Sequence, residues 1–292
     1  MPLKFDRYTP FNNRSIALRA FNSNETEVNS YYWSFKAISE YCGHIGRKIE
    51  KEDKNRKTKD VFEASGPDAG RIPETIENWN DSRNKLENWL RMAALTSVSS
   101  FLESYMRQII RAALMSDPLV QYGKSRLIDG VFLLKSNFEF PYEPLIESMT
   151  KGDWPKRLSS IKKVFGNYPH EMDALIRQLE EIRKRRNSFA HAFGRDIDYK
   201  NPSDLDIRDT EKISQKNLIK YMSSVSRFAK LFDEYLYIKY IGNFEIIHFY
   251  HNEKLKNNAV SAKYLKGQIR LRLNLNPSLK FCGDLIEYYN NI

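Results

Sequence analysis

The sequence predicts a mainly α-helical bundle with a small mixed α/β extension at its C-terminal end. Three observations carry this. Apolar residues recur at steps of three and four along most of residues 26–242, the spacing of a buried helix face. Gly- and Pro-containing breaks such as SGPDAGRIP at 65–73 and Asp117-Pro118 divide that stretch into helices. The run QIRLRLNLN at 268–276 instead alternates apolar and polar residues, which predicts a half-buried strand. The expected organisation is an N-terminal arm over 1–25, a helical domain over 26–242 and the extension over 243–292.

Each element follows from its own pattern. From Glu25, the residues Val28, Tyr31, Phe35, Ile38, Cys42, Ile45 and Ile49 predict one buried helix face, and the mixed charges after Lys48 predict a solvated end. Pro73 suits a first helical turn, and Ile76, Trp79, Leu86 and Leu90 run close to or into a second stripe of Leu95, Val98, Phe101, Leu102, Tyr105, Ile109 and Ala113. Asp153, Trp154 and Pro155 read as a cap and first turn ending at Gly166. Tyr168-Pro169 opens a helix with Leu175, Leu179, Ile182, Arg186, Phe189 and Phe193 on its core face, closed by Gly194. A long helix over 211–241 buries Leu218, Tyr221, Val225, Phe228, Phe232, Tyr235 and Ile238. FEIIHFY then reads as a short β-prone run.

The 292 residues are 41% hydrophobic with a net charge of +10. Mean hydropathy is −0.61, and no apolar run approaches the roughly 20 residues that span a bilayer. MPLKFDRYTPF has no apolar segment of a secretory signal. Two distant cysteines, Cys42 and Cys282, make no disulfide framework, so a cytoplasmic location is expected. The basic excess predicts a polyanionic partner.

The sharpest chemistry lies in RKRRNSFAHAFGRD at 183–196. Arg186 takes a position where the helical pattern asks for a hydrophobe, and a guanidinium there is costly unless it is paired or meets an anion. Asn187 and His191 stand one turn apart. Arg186 and His191 are separated by a rise of about 7.5 Å and by about 140° around the axis, so one helix cannot put both on a narrow seam. Two copies facing each other across a two-fold axis could build a shared cleft. The chemistry that fits is RNA cleavage without a metal. The 2′-hydroxyl attacks the adjacent phosphorus, histidine moves a proton, and arginine stabilises the charge on the phosphate oxygens. Asn187 can orient the 2′-hydroxyl or a phosphate oxygen. Arg183, Lys184, Arg185 and Arg195 would hold the RNA backbone. Ser188 and Glu103 are secondary candidates, Glu103 leaning toward the motif helix or serving as an ordinary boundary carboxylate.

Arg186-Asn187-x-x-x-His191 resembles the R-x4–6-H signature of HEPN domains, including the polar residue after the arginine. LTSVSSFLESYMRQII and GDWPKRLSSIKKVFG are similar in style to the large HEPN group linked to prokaryotic defence and toxin systems. The resemblance covers roughly residues 26–241. It implies a HEPN-like bundle and a dimeric, metal-independent endoribonuclease with a composite site, leaving 2′,3′-cyclic phosphate and 5′-hydroxyl ends. It implies Arg186 and His191 as the catalytic pair with Asn187 in support, and an antitoxin or defence-system partner. Some toxin members carry a modifiable tyrosine two positions after the histidine; Phe193 stands there in this chain, which puts that control in doubt.

Other features predict less. His248 and His251, and Cys42 with His44, lack the further ligands of a zinc site, so no metal or cofactor is expected. Trp79, Trp89 and Trp154 fall on helix stripes and are expected in the core. Tyr288 and Tyr289 could stack on bases or anchor the surface, and Arg270 and Arg272 could extend an RNA track or keep a sheet soluble. The rival to the nuclease is a catalytically inactive HEPN module that dimerises and binds RNA or a partner protein. A DNA-acting nuclease lacks a carboxylate cluster for metal ions.

Overall fold

The computed structural model describes residues 5–189 with their side chains, the backbone of 190–192, and residues 211–257 and 259–292. The described residues form eleven α-helices: α1 Ile16–Glu52, α2 Thr58–Val61, α3 Ile76–Ser116, α4 Gly130–Lys135, α5 Glu143–Thr150, α6 Trp154–Phe165, α7 Asp173–Ala192, α8 Gln215–Leu236, α9 Phe244–Lys256, α10 Ala262–Leu273 and α11 Leu279–Asn291. Among the described residues there is no strand, only an isolated bridge between Lys57 and Thr75. The bundle is therefore helical, as the periodicity predicts. The α/β extension is not observed.

The chain folds as two compact units. The first comprises Met1–Asn22, Phe101–Glu180 and Ser224–Ile292; the second comprises Ser23–Ser100 and Glu181–Ser223. Helices α1, α3, α7 and α8 each give one segment to each unit.

In the first unit, Leu102, Tyr105, Ile109 and Ala113 of α3 are buried, as are Trp154, Leu158 and Ile161 of α6 and Val225, Phe228 and Phe232 of α8. Trp154 packs edge-on against Phe228 at 4.9 Å. Asp153 caps α6 by accepting from the Lys156 N–H at 2.9 Å, and Gly166 closes it at φ 82°. Both ends agree with the sequence reading. The α8 stripe also holds through Phe232. Residues Tyr237–Ile241 then widen into a π-turn, whose extra residue per turn rotates the register. Tyr237, Tyr240 and Ile241 go inside, and Ile238, expected inside, is 56% exposed.

Residues 5–15 are irregular, and the helix begins earlier than expected. Helix α1 starts at Ile16, nine residues before the predicted onset, and Arg7 is buried. Its guanidinium donates to Asp129 at 3.0 Å, to the Ser116 hydroxyl at 2.8 Å and to the Ser116 carbonyl. All these partners are more than 100 positions away, so local sequence cannot announce the arrangement. The N-terminus of α1 is held by carboxylates: Asp233 accepts from the Ser15 N–H at 3.1 Å and Glu245 from the Ile16 N–H at 2.9 Å.

The predicted strands are helices. FEIIHFY opens α9 and buries Phe244, Ile246, Ile247 and Tyr250, on more than one face. Such a run has no clean period, and helix and strand cannot be told apart from it. QIRLRLNLN finishes α10. Ser261 caps that helix, Leu265 and Ile269 are buried one turn apart, and Asn274 ends it in the left-handed region at φ 50°. Of the alternating apolar residues, Leu271 is 78% exposed, so the alternation did not report burial.

In the second unit, α3 begins at Ile76 rather than Pro73, with the Thr75 hydroxyl accepting from the Asn78 N–H at 3.3 Å. The two helical regions read on either side of Leu90 are one 41-residue helix. The buried line of α1 is not the predicted one. Tyr32, Ser39, Gly43 and Gly46 are buried, while Tyr31, Ile38 and Tyr41 are 68%, 62% and 70% exposed. The reason is close approach to α3. A Cβ on Gly43 would lie 2.7 Å from the Arg83 guanidinium carbon, and one on Gly46 would lie 2.5 Å from Asn80 Oδ1. Ser39, Gly43 and Gly46 face inward with Tyr32, and of the predicted stripe Tyr31 and Ile38 are exposed while Val28, Phe35, Cys42, Ile45 and Ile49 are half-buried.

Candidate functional site

Residues 183–192 of the motif stretch form the last turns of α7 in the second unit. Ile182 is buried, and Arg186 and Phe189 follow on the same face at steps of four and three, both half-buried. Arg186 is thus core-directed without being enclosed, which relieves the desolvation cost of a fully buried guanidinium. Its Nη1 donates toward Asn187 Oδ1 at 3.5 Å, the outer limit of a hydrogen bond. Asn187 and Ser188 are half-buried beside it. His191 belongs to α7 by its backbone, four positions after Asn187; its side chain lies outside the described residues. Phe193, Gly194 and Arg195 lie outside them altogether.

The basic residues divide. Lys184 is exposed and Arg183 half-buried. Arg185 donates to Glu211 in a close ion pair and lies 5.9 Å from the Tyr221 ring centre. The Tyr221 hydroxyl in turn donates to Glu181 at 3.1 Å. Glu103 is in the first unit, where Arg157 donates to it at 3.2 Å.

Several neighbours of the motif were not singled out from sequence. Trp89 of α3, expected in the core, is 43% exposed, with its ring 6.4 Å from Phe189. Asn88 donates to the Glu211 carbonyl and accepts from the Ile213 N–H, both at 2.9 Å. Arg91 donates to the Ile213 carbonyl at 2.7 Å. Glu87 anchors this side of α3: it accepts from the Ser39 hydroxyl at 2.7 Å, from Arg83 at 2.8 Å and from Lys36 at 3.2 Å. Burial works against its charge, but the Ser39 hydroxyl, Lys36 and Arg83 outweigh it and hold the carboxyl below its ordinary range. Residues 211–213 are therefore clamped to α3 by two side chains and to α7 by the Arg185–Glu211 pair. The i, i+4 spacing of Arg83, Glu87 and Arg91 was a legible signal for this network.

Chemically, the arrangement offers a half-buried guanidinium beside a carboxamide on a helix whose last turn carries a histidine. Those groups can bind a phosphate and support proton transfer. Among the described residues no group of three or more His, Cys, Asp or Glu side chains could hold a metal ion. No helix there is long and apolar enough to cross a membrane.

The family model described as RiboL-PSP-HEPN matches residues 29–238, which contain the whole motif. No curated protein and no solved structure matches the chain.

Proposed function

The chain belongs to the RiboL-PSP-HEPN family, and on that premise we propose that it is a metal-independent endoribonuclease. HEPN domains are often ribonucleases, commonly bind RNA and commonly dimerise. The observation that carries the reading is the placement of Arg186, Asn187 and His191 in the last turns of α7, with Arg186 half-buried beside the Asn187 carboxamide. In this reading Arg186 and His191 are the catalytic pair. His191 moves the proton at the 2′-hydroxyl or the leaving oxygen, and Arg186 stabilises charge on the phosphate. Asn187 orients the reacting groups. Ser188 remains a secondary candidate, and Glu103, engaged by Arg157, a weaker one. Arg183, Lys184 and Arg195 hold the RNA backbone. Arg185 contributes once its pairing with Glu211 is loosened.

Attack of the 2′-oxygen on phosphorus breaks the P–O5′ bond and leaves a 2′,3′-cyclic phosphate and a 5′-hydroxyl. A second copy of the chain completes the site, because positions 186 and 191 stand about 140° apart around one helix. The exposed Tyr31, Ile38 and Tyr41 of α1, in the same unit as the motif, support such a dimer. A toxin or anti-phage effector, held by an antitoxin or a defence-system partner, is the role we propose for this activity.

The test is total RNA incubated in EDTA with wild type, His191→Ala or Arg186→Ala, followed by analysis of product ends. Cleavage to cyclic phosphate ends by wild type, reduced about 10²–10⁴-fold in His191→Ala, is the expected result. Equal cleavage by His191→Ala would sink the assignment of roles. No cleavage by wild type, with a dimer that Arg186→Ala breaks, would favour the inactive binding module.

A further inference from the structure

The first unit contains a cleft of about 270 Å³ that the nuclease reading does not use. It is lined by Met115 of α3, Leu133 and Leu134 of α4, the loop over 137–142, and α9. Two aromatic rings form part of its wall: Phe244 is buried, and Phe138 is 53% exposed. His248 lies against Phe244 nearly parallel to it, at 6.1 Å and 29°.

Three polar groups with unspent hydrogen-bonding capacity also line the cleft. His251 is buried and uses Nδ1 on the Tyr289 hydroxyl at 2.6 Å, which leaves Nε2 without a partner among the described residues. Neither the His248 ring nor the Tyr142 hydroxyl has a hydrogen-bond partner among the described residues. None of these atoms is among the fully buried polar atoms that lack a partner, so each keeps access to the open space of the cleft. Asn137 and Asn252 add carboxamides at the exposed rim. The carboxylate in the lining, Glu139, accepts from Arg111 at 2.9 Å. Burial pushes both imidazoles below their ordinary value, so both are neutral near pH 7.

The lining therefore presents donors and acceptors without an uncompensated charge, beside flat aromatic surfaces. Its volume is at the small end for ligand sites, which run from about 300 to 1,000 Å³. A phosphate finds no cation inside and would stay at the mouth. We propose that this cleft binds a nucleobase, with its polar edge toward His248, His251 and Tyr142 and its face along Phe138. The base can arrive on a free nucleotide or as a splayed base of an RNA strand, which presents the same edges.

The test is calorimetric titration of the full chain near neutral pH with two sets of probes. One set is the four nucleoside 5′-monophosphates; the other is short 2′-O-methyl RNA, which lacks the attacking hydroxyl and is not cleaved. At least one probe is expected to bind once per chain. His248→Ala, and Asn252→Trp at the exposed rim, should each weaken binding by about tenfold or more, the loss of one buried hydrogen-bonding partner or of access. Asn252→Trp keeps the test decisive if His248→Ala fails to fold. Monophosphate binding that Asn252→Trp weakens identifies an effector site, and oligonucleotide binding that Asn252→Trp weakens, with no monophosphate bound, identifies a base of the RNA. Binding by neither set, or binding unchanged in Asn252→Trp, overturns the proposal. Wild type that cleaves RNA but loses no probe binding in Asn252→Trp fails this proposal alone, and wild type that binds a probe through the cleft without cleaving RNA fails the nuclease reading alone.

Discussion

Arg186 and Arg7 show how one residue type takes two roles in this chain. Arg186 is half-buried beside a carboxamide, open enough to meet an anion. Arg7 is fully enclosed, its donors shared among Asp129, Ser116 and the Ile241 carbonyl. Removing Arg7 empties a buried site and leaves the half-buried Asp129 with only the Val131 N–H and the Tyr288 hydroxyl among the described residues. Arg7→Ala should therefore cost about 3–5 kcal/mol of stability, read from denaturant midpoints. Arg186→Ala should abolish cleavage, read from the product ends. Asn88 is a third kind of residue. It satisfies the Ile213 N–H and the Glu211 carbonyl, and Asn88→Ala should cost about 1–3 kcal/mol because the Ile213 N–H is left unmet. A loss of that size with cleavage also falling would tie the clamp on residues 211–213 to the motif. The Arg186–Asn187–His191 spacing was legible in sequence because it lies within one helix. The clamp was not, because Asn88 and Ile213 meet only across a separation of 125 positions.

At the scale of the element, glycines separate helices that pack closely from helices that do not. Gly43 of α1 has the Arg83 guanidinium where a Cβ would go, whereas Gly267 of α10 has nothing within 4 Å. Gly267→Ala should stabilise the chain by about 0.5–1 kcal/mol, the helix-propensity difference. Gly43→Ala should instead destabilise it, since Arg83 must leave Glu87 to make room. Thermal melts of the two variants check both signs, and a stabilising Gly43→Ala would refute the close-approach explanation of the α1 face. That explanation also accounts for the misread stripe. Ile38 and Cys42 have the right spacing for a core, but periodicity marks a face without saying whether a neighbour covers it. The helices α9 and α10 were misread for a related reason. Short apolar runs carry both periods, and the Ser261 cap and the left-handed Asn274 decide for helix.

For the whole molecule, stability should depend on pH through the carboxylates at the start of α1. Although the Glu245 residue is only half-buried, its carboxyl group is enclosed; burial pushes it up to about 7, against the lowering effect of the Ile16 N–H. A folded-state value above the unfolded one gives stability that is fully present below the unfolded value, near 4.5, and lost as pH rises through about 7. Asp233, also raised by burial, acts in the same direction, while the lowered His248 and His251 act in the opposite one. The difference between wild type and Glu245→Gln isolates the contribution. The variant should lose less stability than wild type between pH 5 and 8, and parallel curves would refute the assignment.

What the sequence determined by itself is local: the helical class, both ends of α6, the end of α3, and a motif contained in one helix of a HEPN family member. Spacing along a chain translates directly into faces of a helix, and capping residues act within a turn. What only the tertiary structure decided is which faces are covered and which distant groups meet. The buried line of α1, the enclosed Arg7, the helical C-terminal residues and the lining of the cleft all depend on partners supplied from far along the chain. Burial and hydrogen bonding are properties of pairs, and a spacing pattern records only one member of each.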